Sequence, residues 1–258
     1  MIINRAVRGT MFNKSTDEVL WTVDEIVDPS LECGGETVYA TDAQGVQIAG
    51  FGRSKSATFS GSNALFNIDL MAAQMGTEKE MASADAKIIV PKFELIKVAD
   101  PTKVTLTVKA GQTVVDTSVK YIYSTNADKS RKAAFARATA ASENEFAVSG
   151  NEITLPTDAF AVGDRVAVWY SVEAEAGQQI VNSAKNFATG GKFVLEVLVA
   201  EPCDVNKEYY AYIVFGNAKL DDNFNLEFGT EASHAFTINA MRDFCSEEDE
   251  LFTFMIAE

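Results

Sequence analysis

Short runs in which apolar and polar residues alternate, separated by turn-forming residues, recur along most of this chain, and alternation with a period of two is the mark of half-buried strands. Arg5 to Phe12 and Val19 to Val23 read as two strands joined by the polar turn Asn13 to Asp17. Pro29 and the Gly34-Gly35 pair are expected to break the chain. Val38 to Thr41 and Gly45 to Phe51 read as a second hairpin turning at Asp42-Ala43-Gln44-Gly45. Ser56 to Ser60 and Lys87 to Val98 are further strands, rich in β-branched and aromatic residues.

Between those two runs the period changes. From Asn63 onward Phe66, Leu70 and Ala73 fall at i, i+4 and i+7, with Leu65, Ile68 and Met75 beside them. This is the stripe of an amphipathic helix, with Ser62 as its N-cap and Gly76 as its stop. One helix among strands predicts a mostly β protein: a two-sheet β-sandwich with a helix on its flank, rather than an alternating α/β sheet.

From Val104 the strands become lighter and more regular: VTLTVKA, VKYIY, KAAFARATA, EFAVSGNEITL and GDRVAVWYSVEA. Ser149-Gly150-Asn151 makes a compact turn, and Trp169 and Tyr170 must point to opposite faces of the strand Arg165 to Val172. This spacing fits either an immunoglobulin-like module inserted at about Asp100 or a continuation of one large sandwich. The last part holds the long strands Lys192 to Val199 and Glu208 to Phe215, then Phe224 to Phe228 and His234 to Asn239. An acidic run, Ser246 to Glu250, precedes the apolar tail Leu251 to Ile256, which must pair with the body or with another subunit to avoid aggregation. The expected organisation is a discontinuous core of residues 1–100 and 185–258, with residues 101–184 as a β-rich insertion or an elaboration of the same sandwich.

With 258 residues, 47% hydrophobic content and only five prolines, the chain can bury a substantial core. Its net charge of −15, from 37 acidic and 22 basic side chains, should repel nucleic acid and anionic membranes. It would also suit a wall past which DNA must slide without sticking. Three widely spaced cysteines, Cys33, Cys203 and Cys245, form neither a zinc pattern nor a disulfide framework and read as buried free thiols. The N-terminus lacks the apolar core of a signal peptide and no apolar run reaches the roughly 18 residues of a membrane span, so synthesis and folding in the cytoplasm are expected.

Candidate chemistry is sparse. The chain has a single histidine, His234, at the start of an expected strand, and a structural role is expected for it. No P-loop, GxGxxG, HExxH or GxSxG pattern occurs. Asp221, Asp222 and Asn223, and the run Ser246 to Glu250, supply oxygen ligands without the spacing of a calcium loop, and read as solvated turns. Tyr209, Tyr210 and Tyr212 alternate along a strand and read as half core and half surface. No catalytic residue, metal ligand or cofactor site is expected.

Three stretches carry a resemblance: Tyr212 to Leu220, Asn223 to Leu226, and His234 to Ala240 followed by Met241-Arg242-Asp243. Together with the segment LFNIDLMAAQMGTE, they are similar to the tail tube proteins of tailed bacteriophages. The resemblance implies a two-sheet sandwich that assembles into rings, usually hexameric, which stack into a hollow tube conducting DNA. The expected protein is then a non-enzymatic virion component, assembled in the host cytoplasm. Its partners would be itself, other tail proteins and DNA that passes without specific binding, with no membrane.

Subunit contacts are expected from the N-terminal hairpin, from the polar loop after Gly76 (Thr77, Glu78, Lys79, Glu80 and Met81) and from the tail (Leu251, Phe252, Phe254 and Ile256). A second reading is a carbohydrate- or surface-binding sandwich, an adhesin in which exposed aromatics such as Trp21 and Trp169 would be the stacking groups. A third is another phage particle component, such as a head decoration or tail terminator protein.

Overall fold

The computed structural model describes residues 1–227, 229, 233–243 and 249–257. The chain divides into two compact units, residues 1–79 with 180–258, and residues 80–179. It is mostly β, with sheets that are antiparallel apart from one parallel strand pair and, among the described residues, one α-helix.

The first unit holds β1 (Ile2–Phe12), β2 (Val19–Asp24), β3 (Ile26–Thr41), β4 (Gln47–Asn63) and α1 (Ile68–Gln74). The second holds β5 (Glu80–Met81), β6 (Ile88–Lys97), β7 (Lys103–Thr105), β8 (Gln112–Val114), β9 (Tyr121–Thr125), β10 (Arg131–Arg137), β11 (Glu145–Ser149), β12 (Glu152–Thr154), β13 (Arg165–Ala174) and β14 (Gln178–Gln179). The chain then returns to the first unit with β15 (Gly190–Glu201), β16 (Asp204–Leu220), β17 (His234–Ala240) and β18 (Thr253–Ala257).

In the first unit the strands run in the order β2-β1-β15-β16-β17-β4-β3, with β18 also paired to β16. β16 serves two partners along its length: Tyr210 to Val214 pair with β18, and Ala218 to Leu220 with β17. This sheet folds over on itself, because rings from strands far apart in the order meet inside it. Trp21 of β2 lies 6.0 Å from Phe236 of β17, and Phe59 of β4 lies 5.9 Å from Phe193 of β15. Phe215 extends the cluster from Phe193 at 5.9 Å. All five rings are buried, so the two halves of the sheet form the layers of a sandwich.

The helix is shorter than its periodicity suggests. It starts at Asn67, whose side chain accepts hydrogen bonds from the backbone N–H groups of Asp69 and Leu70, and not at Ser62. Ser62 and Asn63 belong to β4, paired with Ala235 and His234 of β17, and Leu65 and Phe66 are exposed. The stop at Gly76 is as expected: its φ is +62°, and a Cβ there would come within 2.2 Å of the Phe187 carbonyl oxygen.

Two expected breaks are absent. β3 runs through both Pro29 and Gly34-Gly35, with Asp28 and Pro29 taken up in a bulge between the pairs Val27–Ser62 and Ser30–Ser60. The N-terminal hairpin forms as expected, whereas VTLTVKA is extended only over Lys103–Thr105. Leu226 makes one bridge to His234, and Phe228 lies outside the described residues.

The second unit is built on the order β6-β13-β9-β10-β11-β12-β7, with β8 also on β13. Its core gathers Val104, Ile122, Phe146, Ile153, Val166, Val168, Tyr170 and Val172. The short pair β5–β14 sets the start and finish of this unit side by side, Met81 opposite Gln178. The Tyr170 hydroxyl lies 3.1 Å from both a Glu94 carboxylate oxygen and the Thr107 carbonyl, and burial, then Glu94, pushes its pKa up to about 12.

His234 is fully buried. Its Nε2 lies 2.6 Å from Gln74 Oε1, while Gln74 Nε2 donates to the Ala235 carbonyl. Gln74 Oε1 is therefore the acceptor, which places the imidazole proton on Nε2. Phe66 stacks on the ring at 5.9 Å, and Nδ1 has no partner among the described residues.

Two consequences are measurable. Phe193 touches Trp21, Phe59 and Phe215, so Phe193→Ala should cost about 3–5 kcal/mol in a urea unfolding titration. Burial also holds the His234 imidazole below its ordinary value of 6.5, so the folded protein takes up that proton less readily than the unfolded chain. Stability from this group is complete above about pH 6.5 and falls as the pH drops below it. The urea midpoint should therefore decline more between pH 7.5 and 5.5 in the wild type than in His234→Gln; equal declines would remove His234 as the cause.

Candidate functional site

Beyond the core, β3 and β4 continue as a two-stranded ribbon. Burial alternates along β4 from Ala57 to Asn63 and then ceases, and every residue from 32 to 56 is exposed. The pairing from Gly34–Ser56 to Thr41–Gln47 makes this ribbon eight residues long on β3, about 27 Å at ~3.4 Å per residue.

Its tip is defined by Asp42, whose carboxylate accepts from the N–H groups of Gln44 and Val46, and by Gly45 at φ +84°. Midway, Ser54 at φ +50° sits as the extra residue between the pairs Gly35–Lys55 and Glu36–Arg53. Such a bulge bends and twists the ribbon.

Residues directly opposite in an antiparallel pair share a face. One face of the ribbon thus carries Val38 with Phe51 and Ala40 with Ala49, an apolar stripe bordered by Glu36 and Arg53. The other carries Tyr39, whose ring lies against Gly50. Val38, Tyr39, Ile48 and Phe51 are all solvent-exposed. The alternation is legible as a hairpin; that its apolar side chains stay uncovered among the described residues is not legible in the sequence.

The expected interface residues fall into three places. Thr77, Glu78 and Lys79 line an open hollow of about 410 Å³ at the end of α1, together with Leu20 and Thr189, and Lys79 makes a 2.5 Å ion pair with Asp69. Glu80 and Met81 form β5 in the second unit, and Met81 is exposed. The tail pairs with β16 of its own chain. Leu251 and Phe252 pack on the first unit's core, the Phe252 ring 5.6 Å from Phe215.

Phe254 and Ile256 lie opposite Ile213 and Ala211, on the core side of the sheet, yet remain exposed. They continue the core face past its cover. Among the described residues β18 has no second strand partner, so its outer edge is open. Leu251 and Phe252 line a further hollow of about 370 Å³ with Cys33 and Lys55, so the ribbon's base and the tail are neighbours.

Other expectations are corrected by burial. Cys33 and Cys203 are exposed rather than buried, one at the ribbon's base and one in the turn after β15, and Cys245 lies outside the described residues. Trp21 is 2% exposed, held in the aromatic core, and is no stacking group; Trp169, at 55%, is open to solvent.

Asp221 caps its own turn through Asn223, and Asp222 accepts from the Ala188 N–H and pairs with Lys219. The Ala188 hydrogen bond, then Lys219, holds the Asp222 carboxyl below its ordinary value. Residues 246–248 of the acidic run lie outside the described residues. Tyr210 is exposed while Tyr209 packs on the core and bonds Glu201. Among the described residues no three His, Cys, Asp or Glu side chains gather as a metal site, and no helix is long and apolar enough to cross a membrane.

The arrangement offers surfaces for strand pairing and apolar burial. No curated protein matches the sequence. The sequence model of the YomU/Tube protein family matches residues 2–250, nearly the whole chain, and the chain belongs to that family.

Proposed function

We propose that this protein is a structural, non-catalytic subunit of a bacteriophage tail tube, and that copies of it form rings, hexameric as in the proteins it resembles, which stack around a channel for DNA. The observation that carries this reading is the ribbon. A two-stranded hairpin alone is at best marginally stable in water, and this one displays an apolar stripe with no cover among the described residues. Membership of a family named for a tube supplies the occupant: another copy of the chain. Val38 and Phe51 would lie on the next subunit, and covering Val38, Tyr39, Ile48 and Phe51 would contribute on the order of a few kcal/mol per copy.

The open edge of β18, with Phe254 and Ile256 beside it, and the loop bearing Thr77, Glu78 and Lys79 are the second and third contact surfaces in this reading. Repetition around a ring multiplies such modest contacts, because one copy binds two neighbours at once. The net charge of −15 supports a conduit role, since acidic walls repel phosphates and let DNA pass without capture. Other tail proteins would meet the ends of the tube in the virion.

The double variant Val38→Asp/Phe51→Asp alters side chains that touch no core. Its unfolding free energy should stay within about 0.5 kcal/mol of wild type, while tubes or rings seen by negative-stain electron microscopy and light scattering disappear. Tubes from the variant like those of the wild type would overturn the role of the ribbon. A wild type that stays monomeric at every concentration, alone and with tail extract as initiator, would overturn the tube reading.

A further inference from the structure

The second unit carries an aromatic face that its core does not use. Alternation along β13 sends Val166, Val168, Tyr170 and Val172 into the core and turns Trp169 outward. Register places Phe93 of β6 opposite Trp169 and Tyr123 of β9 opposite Ala167. The Phe93 and Trp169 rings are 4.5 Å apart and tilted by 41°, and Tyr123 meets Trp169 edge-on at 5.6 Å. Phe93 and Trp169 are each 55% exposed.

Ala167 is the small residue among these rings. Its short side chain floors a hollow of about 300 Å³ walled by Phe93, Tyr123 and Trp169, a size at the lower end of small-ligand sites. Two cations rim it. The Arg131 guanidinium lies 4.5 Å over the Tyr123 ring, and Lys129 lines the same hollow from the turn before β10. Neither forms an ion pair with a carboxylate among the described residues, although the chain is strongly acidic.

These features specify a ligand. Uncovered ring faces suit a ring with an apolar C–H side, and the cations without a carboxylate partner suit an anion. We propose that this hollow binds a ring of an acidic saccharide, with its C–H face on Trp169 and its carboxylate or phosphate on Arg131 and Lys129. The hollow holds one or two rings, whereas single-stranded nucleic acid needs a continuous basic track, and the overall charge opposes it. The site lies wholly within residues 80–179 and does not rest on the tube reading.

The test is a titration of the full-length protein with a panel of uronate- and phosphate-bearing oligosaccharides, matched neutral oligosaccharides and oligo(dT). Binding is read from the indole N–H resonances of its two tryptophans. An acidic oligosaccharide should shift the Trp169 signal saturably with a Kd of about 1 mM or tighter, leaving that of the core residue Trp21 in place. Trp169→Ala and Arg131→Ala, both outside the core, should each weaken binding at least about tenfold, read by calorimetry, with unfolding midpoints unchanged. No binding across the acidic panel, binding indifferent to both variants, equal binding of neutral sugars, or tighter binding of oligo(dT) would each overturn the assignment.

Discussion

Five aromatic rings govern the larger unit, because they tie together strands that the hydrogen-bond ladder keeps apart. A sheet ordered β2-β1-β15-β16-β17-β4-β3 has one face that must leave water. Trp21 against Phe236 and Phe59 against Phe193 let the two halves of the sheet cover each other, with Phe215 carrying the contact onward to Phe252 of the tail. Each buried ring contributes about 1.5–3 kcal/mol by leaving water, with about 0.5–1.5 kcal/mol more for a well-placed ring pair. The rings also determine how much of each strand the core can use. β3 and β4 meet it only over Ile26 to Leu31 and Ala57 to Asn63, and both are far longer than that.

The excess length forms the exposed ribbon. A ribbon whose strands simply overshot would be expected to be polar, with charges guarding its edges. Here Glu36 and Arg53 sit midway, and beyond them the side chains are Val38, Ala40, Ala49 and Phe51 on one face and Tyr39 on the other. The same logic applies at β18. Leu251 and Phe252 are absorbed by the core, whereas Phe254 and Ile256 lie on the core side of the sheet with nothing above them. Two exposed apolar surfaces therefore stand on a chain of charge −15, and like charge of that size opposes non-specific association through them.

Local pattern revealed what local chemistry decides. The turns at Asp42 and Gly150, the stop at Gly76 and the opposite directions of Trp169 and Tyr170 depend on backbone conformation or on a period of two, and both are written in neighbouring residues. Long-range pairing decided the rest. The stripe Phe66, Leu70, Ala73 fits a helix from Asn63, but β17 claims Ser62 and Asn63 as strand partners, and the helix starts only where Asn67 can cap it. Pro29 and the paired glycines read as breaks because a proline withholds an N–H and glycine favours turns. A bulge at Asp28–Pro29 removes the first objection, and seventeen residues of β4 alongside remove the second. The two tryptophans were indistinguishable in sequence, since whether a strand's outer face is covered depends on strands far away.

The polar side chains with perturbed environments are engaged in local structure. His234, the single imidazole, is committed to Gln74 and enclosed by Phe66 and Phe224. Tyr170 is committed to Glu94 and Thr107, and Asp222 to a backbone N–H and Lys219. Each of these groups completes the sandwich that holds it, and a group whose protonation state is fixed by burial and local bonds has little freedom to act as an acid or base. The exposed apolar groups and unpaired cations described above lie at the periphery: the stripe of the ribbon, the open edge of β18, and the rings and cations around Ala167.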